Sequence, residues 1–391
     1  AVRMAAQRLF YRTSEGVPYF LKNQLKISSA EIGLVSMIPN AVQVPALKAA
    51  MRQLKEKGKI RAIWFKCRQP GASTLASALI WNRVSMFDGM YAFIVAQDRG
   101  TVEHLFNIHN LFYKTMVSGL CRPKRYHTKG FEMVLGDVGD DEDASNELDS
   151  RLLTAEAKNL HLGTGRTLHC LHLSELCRYP TSDPIKESLL PACSDAPGTV
   201  RIMESTAHFG QGADYFRYMC EVAMSGKSEY EYHFMEWWRL KKYAIPLERG
   251  EKLKLDVAER HYIKEYGMSL ENIKWRRKMI QELEGDEDSF KLSYPTNYEE
   301  AWITKQTSAF PQDRLMEIHS MLRPPIKRFR IEAGQMYEHP QGEFWVWHMP
   351  QLNKVYDIGA DVGEGHVDGD PSTAQVLERG SNIQCAEYRG F

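Results

Sequence analysis

Residues 66–74, Lys-Cys-Arg-Gln-Pro-Gly-Ala-Ser-Thr, place two cations, a glycine and two hydroxyls in one short stretch. An apolar run at 60–65 precedes them, and a helical pattern from 73 to 86 follows. Strand, tight glycine-bearing turn and helix N-terminus make a cradle for phosphate. Backbone N–H groups and the positive end of the helix dipole converge there on an anion. Against the spacing G-x-x-x-x-G-K-[ST], Gly71 and Ser73 fit, Lys66 stands at the first glycine and Ala72 at the lysine. The same residues can form an ordinary strand-to-helix turn with two surface cations, so the reading depends on what stands downstream.

Phosphoryl chemistry at such a loop needs backbone donors, positive charge on the terminal phosphates, a hydroxyl for Mg²⁺ and a carboxylate to aim water. Gly71, Ala72, Ser73 and Thr74 can supply the donors and Ser73 the hydroxyl, while Gln69 completes the turn and Pro70 removes one N–H. Ala72 carries no charge, so Arg68, with Lys66, is expected to neutralise the phosphates; a guanidinium fork suits phosphate oxygens. The stretch from Thr167 to Glu175 is an apolar strand ending in Ser174-Glu175, the layout of a Walker B strand. Ser174 can hold a Mg²⁺-bound water and Glu175 can orient the attacking water. A buried strand with a polar end is the alternative. Arg201-Ile-Met-Glu204-Ser205-Thr206-Ala207 is a further strand with a small polar tip. In nucleotide-driven motors such a tip sits beside the γ-phosphate and relays its loss.

These groups meet only if several strand ends lie side by side. Apolar runs at 60–65, 91–96, 168–173, 200–203 and 230–237, separated by helical or polar segments, predict a mostly parallel α/β sheet. Residues 1–58 read as mixed and helical, with a helix start at Ser28, Ser29 and Glu31. Ser269 caps a helix with Asn272 at its third position and Gly285 beyond its end. Residues 321–330, with Pro324-Pro325 between basic flanks, read as a linker. From Gly342 a hairpin pattern, 344–347 and then 355–361, opens a second domain. Asp137 to Asp149 is a solvated acidic loop and not an EF-hand, since Glu142 and Leu148 occupy the positions that need Gly and Glu.

The 391 residues allow two or three domains, and 50 Lys+Arg against 50 Asp+Glu leave no global field to attract nucleic acid. Contact with DNA would have to come from local clusters: Arg122, Lys124, Arg125 and Lys129, or Arg323, Lys327, Arg328 and Arg330. Arg276-Arg277-Lys278 reads as the solvent face of a helix. The seven cysteines lack C-x-x-C pairing, which favours reduced thiols; Cys67 reads as a small filler. No apolar run approaches the ~18 residues of a membrane span. The first residues lack the apolar core of a signal peptide, so a soluble intracellular protein is expected. His169 and His172 fall on opposite faces of a strand, against a zinc site with Cys170 and Cys177.

In this order and spacing the motifs resemble the large terminase subunit of tailed bacteriophages, the DNA-packaging motor, from about residue 38 to 371. Ile38-Pro39-Asn40-Ala41-Val42-Gln43 resembles the adenine-contacting segment, with Gln43 reading the base edge. Arg68-Gln69-x-Gly71-x-Ser73-Thr74 resembles the deviant phosphate loop, and Leu171-His172-Leu173-Ser174-Glu175 the second motif in its Ser-Glu form. Glu204-Ser205-Thr206-Ala207 resembles the coupling motif, in which Ser205, Thr206 and Ala207 convert phosphate release into movement. Residues 289–295 and 299–302 resemble the segment that closes the ATPase, with Leu292 and Ser293 where Gln and Glu are more usual. Arg166 resembles an arginine that completes a neighbouring subunit's site.

The stretch from Val355 to Asp361 resembles the first strand of the terminase nuclease, with Asp361 as first metal ligand, Asp370 assisting and Asp368 a poorer candidate. Two Mg²⁺ or Mn²⁺ ions need several carboxylates from distant strands. The others are expected beyond Phe391, so no nuclease activity is expected of this polypeptide alone.

The resemblance implies an N-terminal helical segment with the adenine motif at 1–58, a P-loop ATPase of the additional-strand class at 59–310, a linker at 311–341, and at 342–391 the start of a truncated RNase H-like nuclease. It implies ATP and Mg²⁺ as cofactors, with Mg²⁺ or Mn²⁺ for the nuclease. The activity would be translocation of double-stranded viral DNA into a procapsid in the host cell cytoplasm, with no membrane involved. The partners would be DNA, a portal protein, a small terminase subunit and further copies closing a ring on the portal. Two other readings stand beside it: a DNA helicase or remodelling ATPase with a similar core, and a catalytically degenerate nucleotide-binding adaptor, because the loop lysine and the Walker B aspartate are both missing.

Overall fold

The structure, a computed structural model, describes residues 2–29, 32–116, 125–136, 149–159, 165, 167–302, 323–332, 334–363, 372–381 and 383–390. The chain divides into two compact units, Ala1–Thr304 and Lys305–Phe391. Arg166, Asp368, Asp370, Arg122, Lys124 and the acidic loop up to residue 148 lie outside the described residues.

The first unit opens with helices α1 (Val2–Tyr11) and α2 (Gly16–Gln24), a hairpin of β1 (Lys26–Ser29) and β2 (Gly33–Ser36), and α3 (Gln43–Lys57). The hairpin corrects the helix start expected at Ser28 and Ser29, which pair antiparallel with Leu34 and Gly33. Ile27 packs on the core from the half-buried side of β1, and that tertiary contact overrides the local capping signal.

The main sheet contains β3 (Ile60–Lys66), β4 (Tyr91–Ala96), β5 (Arg125–Lys129), β6 (Glu132–Leu135), β7 (Ser150–Glu156), β8 (Cys170–Ser174), β9 (Val200–Ser205) and β10 (Glu231–Met235). Their order is β10-β3-β9-β8-β4-β7-β6-β5, parallel from β10 to β7 and antiparallel at the β6 and β5 edge. β3 is buried at every position, as a parallel strand covered on both faces must be. Its alternate side chains feed two cores: Ala62 and Trp64 join the cluster under α3 and α4 (Ala72–Met86), while Ile63 and Phe65 join Phe216 and Leu173 on the other face. β9 lies between β3 and β8, so a strand is inserted between the one that leads into the loop and the one that ends in Ser174-Glu175.

The run at 168–173 enters the sheet only at Cys170, because Leu168 is held by a lone bridge to Cys193. The run at 230–237 gives the shorter β10, and Trp237 turns off it into the core. The Leu270–Glu282 helix starts at Ser269 with a reciprocal capping box to Asn272. Its Arg276 is not a solvent-face residue: it is buried, 3.3 Å from Glu287 and stacked over Tyr262 and Phe290.

In the second unit, much of the expected linker is sheet. β11 (Lys327–Glu332) and β12 (Gln335–Glu338) precede β13 (Phe344–Val346), β14 (Tyr356–Asp361), β15 (Ser372–Glu378) and β16 (Gln384–Gly390). The order is β12-β11-β13-β16-β15-β14, antiparallel throughout. β13 pairs with β11 and β16, so 344–347 and 355–361 do not form the hairpin expected between them. The basic run was misleading because its cations decorate a strand: Arg328 stacks over Trp345 at 4.7 Å and Lys327 pairs with Glu338 at 2.7 Å.

Candidate functional site

β3, β9 and β8 run parallel, so Lys66, Ser205 and Ser174 end together at the carboxyl edge of the sheet, where open α/β sheets bind ligands. A cavity of about 610 Å³ lies beyond these ends, lined by Lys66, Arg68–Thr74 of the loop, Ser174, Glu175 and Thr206. Ser28, Gln97, Thr101, His104, Leu105 and Arg178 complete its wall.

The loop turns through two left-handed residues, Gln69 at φ 52° and Gly71 at φ 85°. Its carbonyls are held from behind. Tyr243 donates to Arg68 O at 2.5 Å, Lys242 to Gln69 O at 2.6 Å, Asn40 to Pro70 O at 2.9 Å and Gln43 to Gly71 O at 2.7 Å. With its acceptors turned outward, the loop can aim N–H groups inward. Gly71 offers no side chain to cap α4, so the first-turn donors of the helix are left for an anion. An aromatic group of Tyr243, Trp275, Phe290 and Tyr294 packs behind the loop, and Arg68 N donates to Ser293 O at 2.9 Å.

Gln43 departs from the role the resemblance implies. Its amide oxygen accepts from Asn40 N at 2.9 Å and its NH₂ donates to Gly71, so both ends are spent on the loop. It is buried behind Gly71 and is not part of the cavity wall, so in this structure it props the turn.

Beneath the cavity floor lies a buried charge network centred on Glu204. Its Oε1 accepts from Ser73 Oγ at 2.8 Å and Ser174 Oγ at 2.7 Å, and His172 Nε2 lies 3.2 Å away. Its Oε2 is 2.7 Å from Lys66 Nζ, which also lies 2.7 Å from Glu175 Oε1. Burial by itself would drive the Lys66 ammonium toward neutrality, but Glu204 and Glu175 outweigh it and hold the pKa above the ordinary lysine range. Burial likewise works against the Glu204 charge, and Lys66 and His172 outweigh it, holding the carboxyl below its ordinary range. Both groups are therefore charged at neutral pH. Lys66, expected to face phosphate beside Arg68, is in this structure a bridge between two carboxylates. Arg68 is the exposed cation of the loop, its Nε donating to Ser293 Oγ at 3.1 Å.

Glu175 sits at φ 55°, a left-handed conformation that costs a residue with a Cβ roughly 1–2 kcal/mol. Lys66 holds one of its oxygens, and Thr206 donates to the other from Oγ1 at 3.1 Å and from N at 3.4 Å. Ser205 lies underneath, accepting from Cys177 N at 3.1 Å, and Ala207 is buried in the second core.

The structure thus brings Lys66, Arg68, Gln69, Gly71, Ala72, Ser73, Thr74, Ser174, Glu175 and Thr206 around one cavity. Gln43, Ser205 and Ala207 support it from behind. Asp361 ends β14 at the edge of the second unit's sheet, paired with Thr373. Among the described residues no group of three or more His, Cys, Asp or Glu side chains is arranged to hold a metal ion.

From the sequence, Glu204 has no role of its own, and His172 stands only as a strand residue of the Ser-Glu motif and a rejected zinc ligand. The available signal was an acidic residue inside the apolar run Val-Arg-Ile-Met-Glu, since a buried carboxylate needs partners. Gln97, Thr101, His104 and Arg178 carried no local signal.

No protein-family profile matches the chain, and no curated protein does. Among solved structures, it is similar to the large terminase of bacteriophage HK97, with a TM-score of 0.52 at 13% identity over 95% of this chain and 66% of that one. It is also similar to the large terminase ATPase domain of Thermus phage P74-26, with a TM-score of 0.44 at 14% identity over 67% of this chain and 94% of that one. By the HK97 match, the chain has the fold of a bacteriophage large terminase: mixed α/β with a mostly parallel central sheet.

Proposed function

We propose that this chain is the ATP-hydrolysing subunit of a motor that drives double-stranded viral DNA into a procapsid. The observation that carries the reading is the position of Glu175. It stands at the cavity edge between the cation Lys66 and the strand-tip residue Thr206. A carboxylate so placed can orient water toward a terminal phosphate and report the loss of that phosphate to β9.

ATP and Mg²⁺ fit what lines the cavity. Its volume lies within the roughly 300–1,000 Å³ usual for ligand sites. The α4 N-terminus, whose first-turn N–H groups have no side-chain cap, suits phosphate, and the Ser73 hydroxyl suits Mg²⁺. Arg68, exposed at the mouth, would reach the phosphates, with Lys66 shared between them and its carboxylates. Bound Mg²⁺ would supply charge neutralisation on the β/γ-phosphates.

The partners follow from the resemblance: double-stranded DNA, a portal protein, a small terminase subunit and copies of this chain in a ring, in the host cytoplasm. Among the described residues no helix is long and apolar enough to cross a membrane. Asp361 at the end of β14 is assigned as the first metal ligand of a Mg²⁺- or Mn²⁺-dependent nuclease region.

The test is ATP-dependent protection of linear DNA from nuclease by portal-bearing procapsids with the wild-type protein. Protected DNA that vanishes with Glu175→Gln supports the motor. Wild-type protein that binds nucleotide but neither hydrolyses it nor protects DNA, with portal and DNA present, supports the adaptor instead.

A further inference from the structure

We infer that Glu204 supplies the carboxylate of the magnesium seat, from the strand beside the one that carries Ser174-Glu175. The inference rests on the nucleotide reading above. The ligand it concerns is a divalent cation with a preference for oxygen, held between this carboxylate's hydroxyl partners and a triphosphate.

Ser174 on β8 has no carboxylate to offer, and its partner across the ladder is Glu204 on β9. Paired residues of neighbouring strands project to the same face. The acid missing from one strand end is thus replaced at the same height on the next.

A serine hydroxyl has one proton and two acceptor lone pairs. Ser73 and Ser174 both give that proton to Glu204 Oε1, at 2.8 and 2.7 Å. Their lone pairs are therefore free for a cation, and Ser73 and Ser174 both line the cavity. One carboxylate oxygen orients two hydroxyls, as outer-shell carboxylates orient metal ligands. Lys66 on the other oxygen keeps Glu204 charged and ties it to Glu175.

A bare counter-ion for Lys66 would not need both hydroxyls. The two roles also differ in what Mg²⁺ does. Loss of a counter-ion changes nucleotide affinity with or without metal. Loss of a seat carboxylate removes only the part that Mg²⁺ adds.

Glu204 acts through Ser73 and Ser174 and is a positioning residue. The experiment is calorimetric titration of the full chain with a non-hydrolysable ATP analogue, in excess Mg²⁺ and in EDTA. Wild type is expected to bind more tightly in Mg²⁺. Glu204→Gln also releases Lys66, which shifts binding in both conditions alike, so the readout is the ratio of the affinities in Mg²⁺ and in EDTA, expected to fall by about tenfold or more. Adding Ser174→Asp in the Glu204→Gln background should restore the increment, which a purely structural role would not allow. If Glu204→Gln does not fold, Glu204→Asp, which keeps the charge and withdraws it by one methylene, should show the same selective loss. An undiminished increment in Glu204→Gln, or in Glu204→Asp where that variant is used, overturns the inference and leaves the nucleotide reading standing. Wild type that binds the analogue in neither condition overturns the nucleotide reading, and this inference with it.

Discussion

Thr206 donates both its hydroxyl and its backbone N–H to one oxygen of Glu175, at 3.1 and 3.4 Å. Glu175 is thereby tied to the tip of β9, and its other oxygen is held by Lys66. Any displacement of Lys66 toward phosphate must free one side of Glu175 while Thr206 keeps the other.

Thr206→Val removes the hydroxyl and keeps the size. A hydrogen bond to a charged group is worth roughly 1.5–3 kcal/mol, so hydrolysis should slow by about tenfold or more. Nucleotide affinity should change little. Steady-state turnover and equilibrium binding of an ATP analogue, measured on the same preparation, check this split.

Gln43→Ala tests the prop. Losing the bond to Gly71 O should cost about 1 kcal/mol and weaken nucleotide binding several-fold. The ratio of ATP to GTP affinity should stay as in wild type, because the amide does not face the cavity. A change confined to ATP would return Gln43 to base reading.

The buried groups set a pH signature. His109, fully buried, has its pKa pushed down to about 4 by burial, from 6.5 in the unfolded chain. It folds neutral, so its contribution is complete above pH 6.5 and is lost as pH falls toward about 4. Glu204, held below its ordinary 4.5, adds stability that is present above pH 4.5 and lost below it. Lys66, held above its ordinary 10.5, adds stability that is complete below pH 10.5 and lost as pH rises beyond it. Melting curves should show a plateau from near pH 6.5 to near 9, where the buried thiols of Cys67, Cys170 and Cys177, held above their ordinary 9.0, begin to favour the unfolded chain, with an acid limb beginning below 6.5. His109→Leu should flatten the upper part of that limb.

Cys67 lies in the loop but is buried, and burial pushes its thiol up to about 12. Thiolate reactivity is accordingly suppressed. Native protein treated with an alkylating reagent at pH 8 should leave Cys67 unmodified by peptide mass spectrometry, and denatured protein should not.

The central sheet was legible because a buried parallel strand is a continuous apolar run between turn residues. Tyr91–Ala96 and β3 stand out for that reason, and Ser269 with Asn272 because a capping box is local. Ser28 and Ser29 misled because hairpin pairing with 33–34 is decided at a distance. Lys327–Glu332 misled because its exposed cations look like a linker while Phe329 and Ile331 pair into a sheet. At the site, residue types in the loop and at the strand ends were visible. Their partners were not: the bond from Gln43 to Gly71 O and the register of Ser174 with Glu204 exist only once the chain is folded.

The most direct measurement is phosphate release from ATP by wild type and Glu175→Gln, with analogue binding measured in parallel. General-base chemistry contributes about 10²–10⁴-fold, so the variant should bind as wild type does and release phosphate at least about a hundredfold more slowly. Equal release by the two proteins would contradict the assignment of Glu175 and the account built on it.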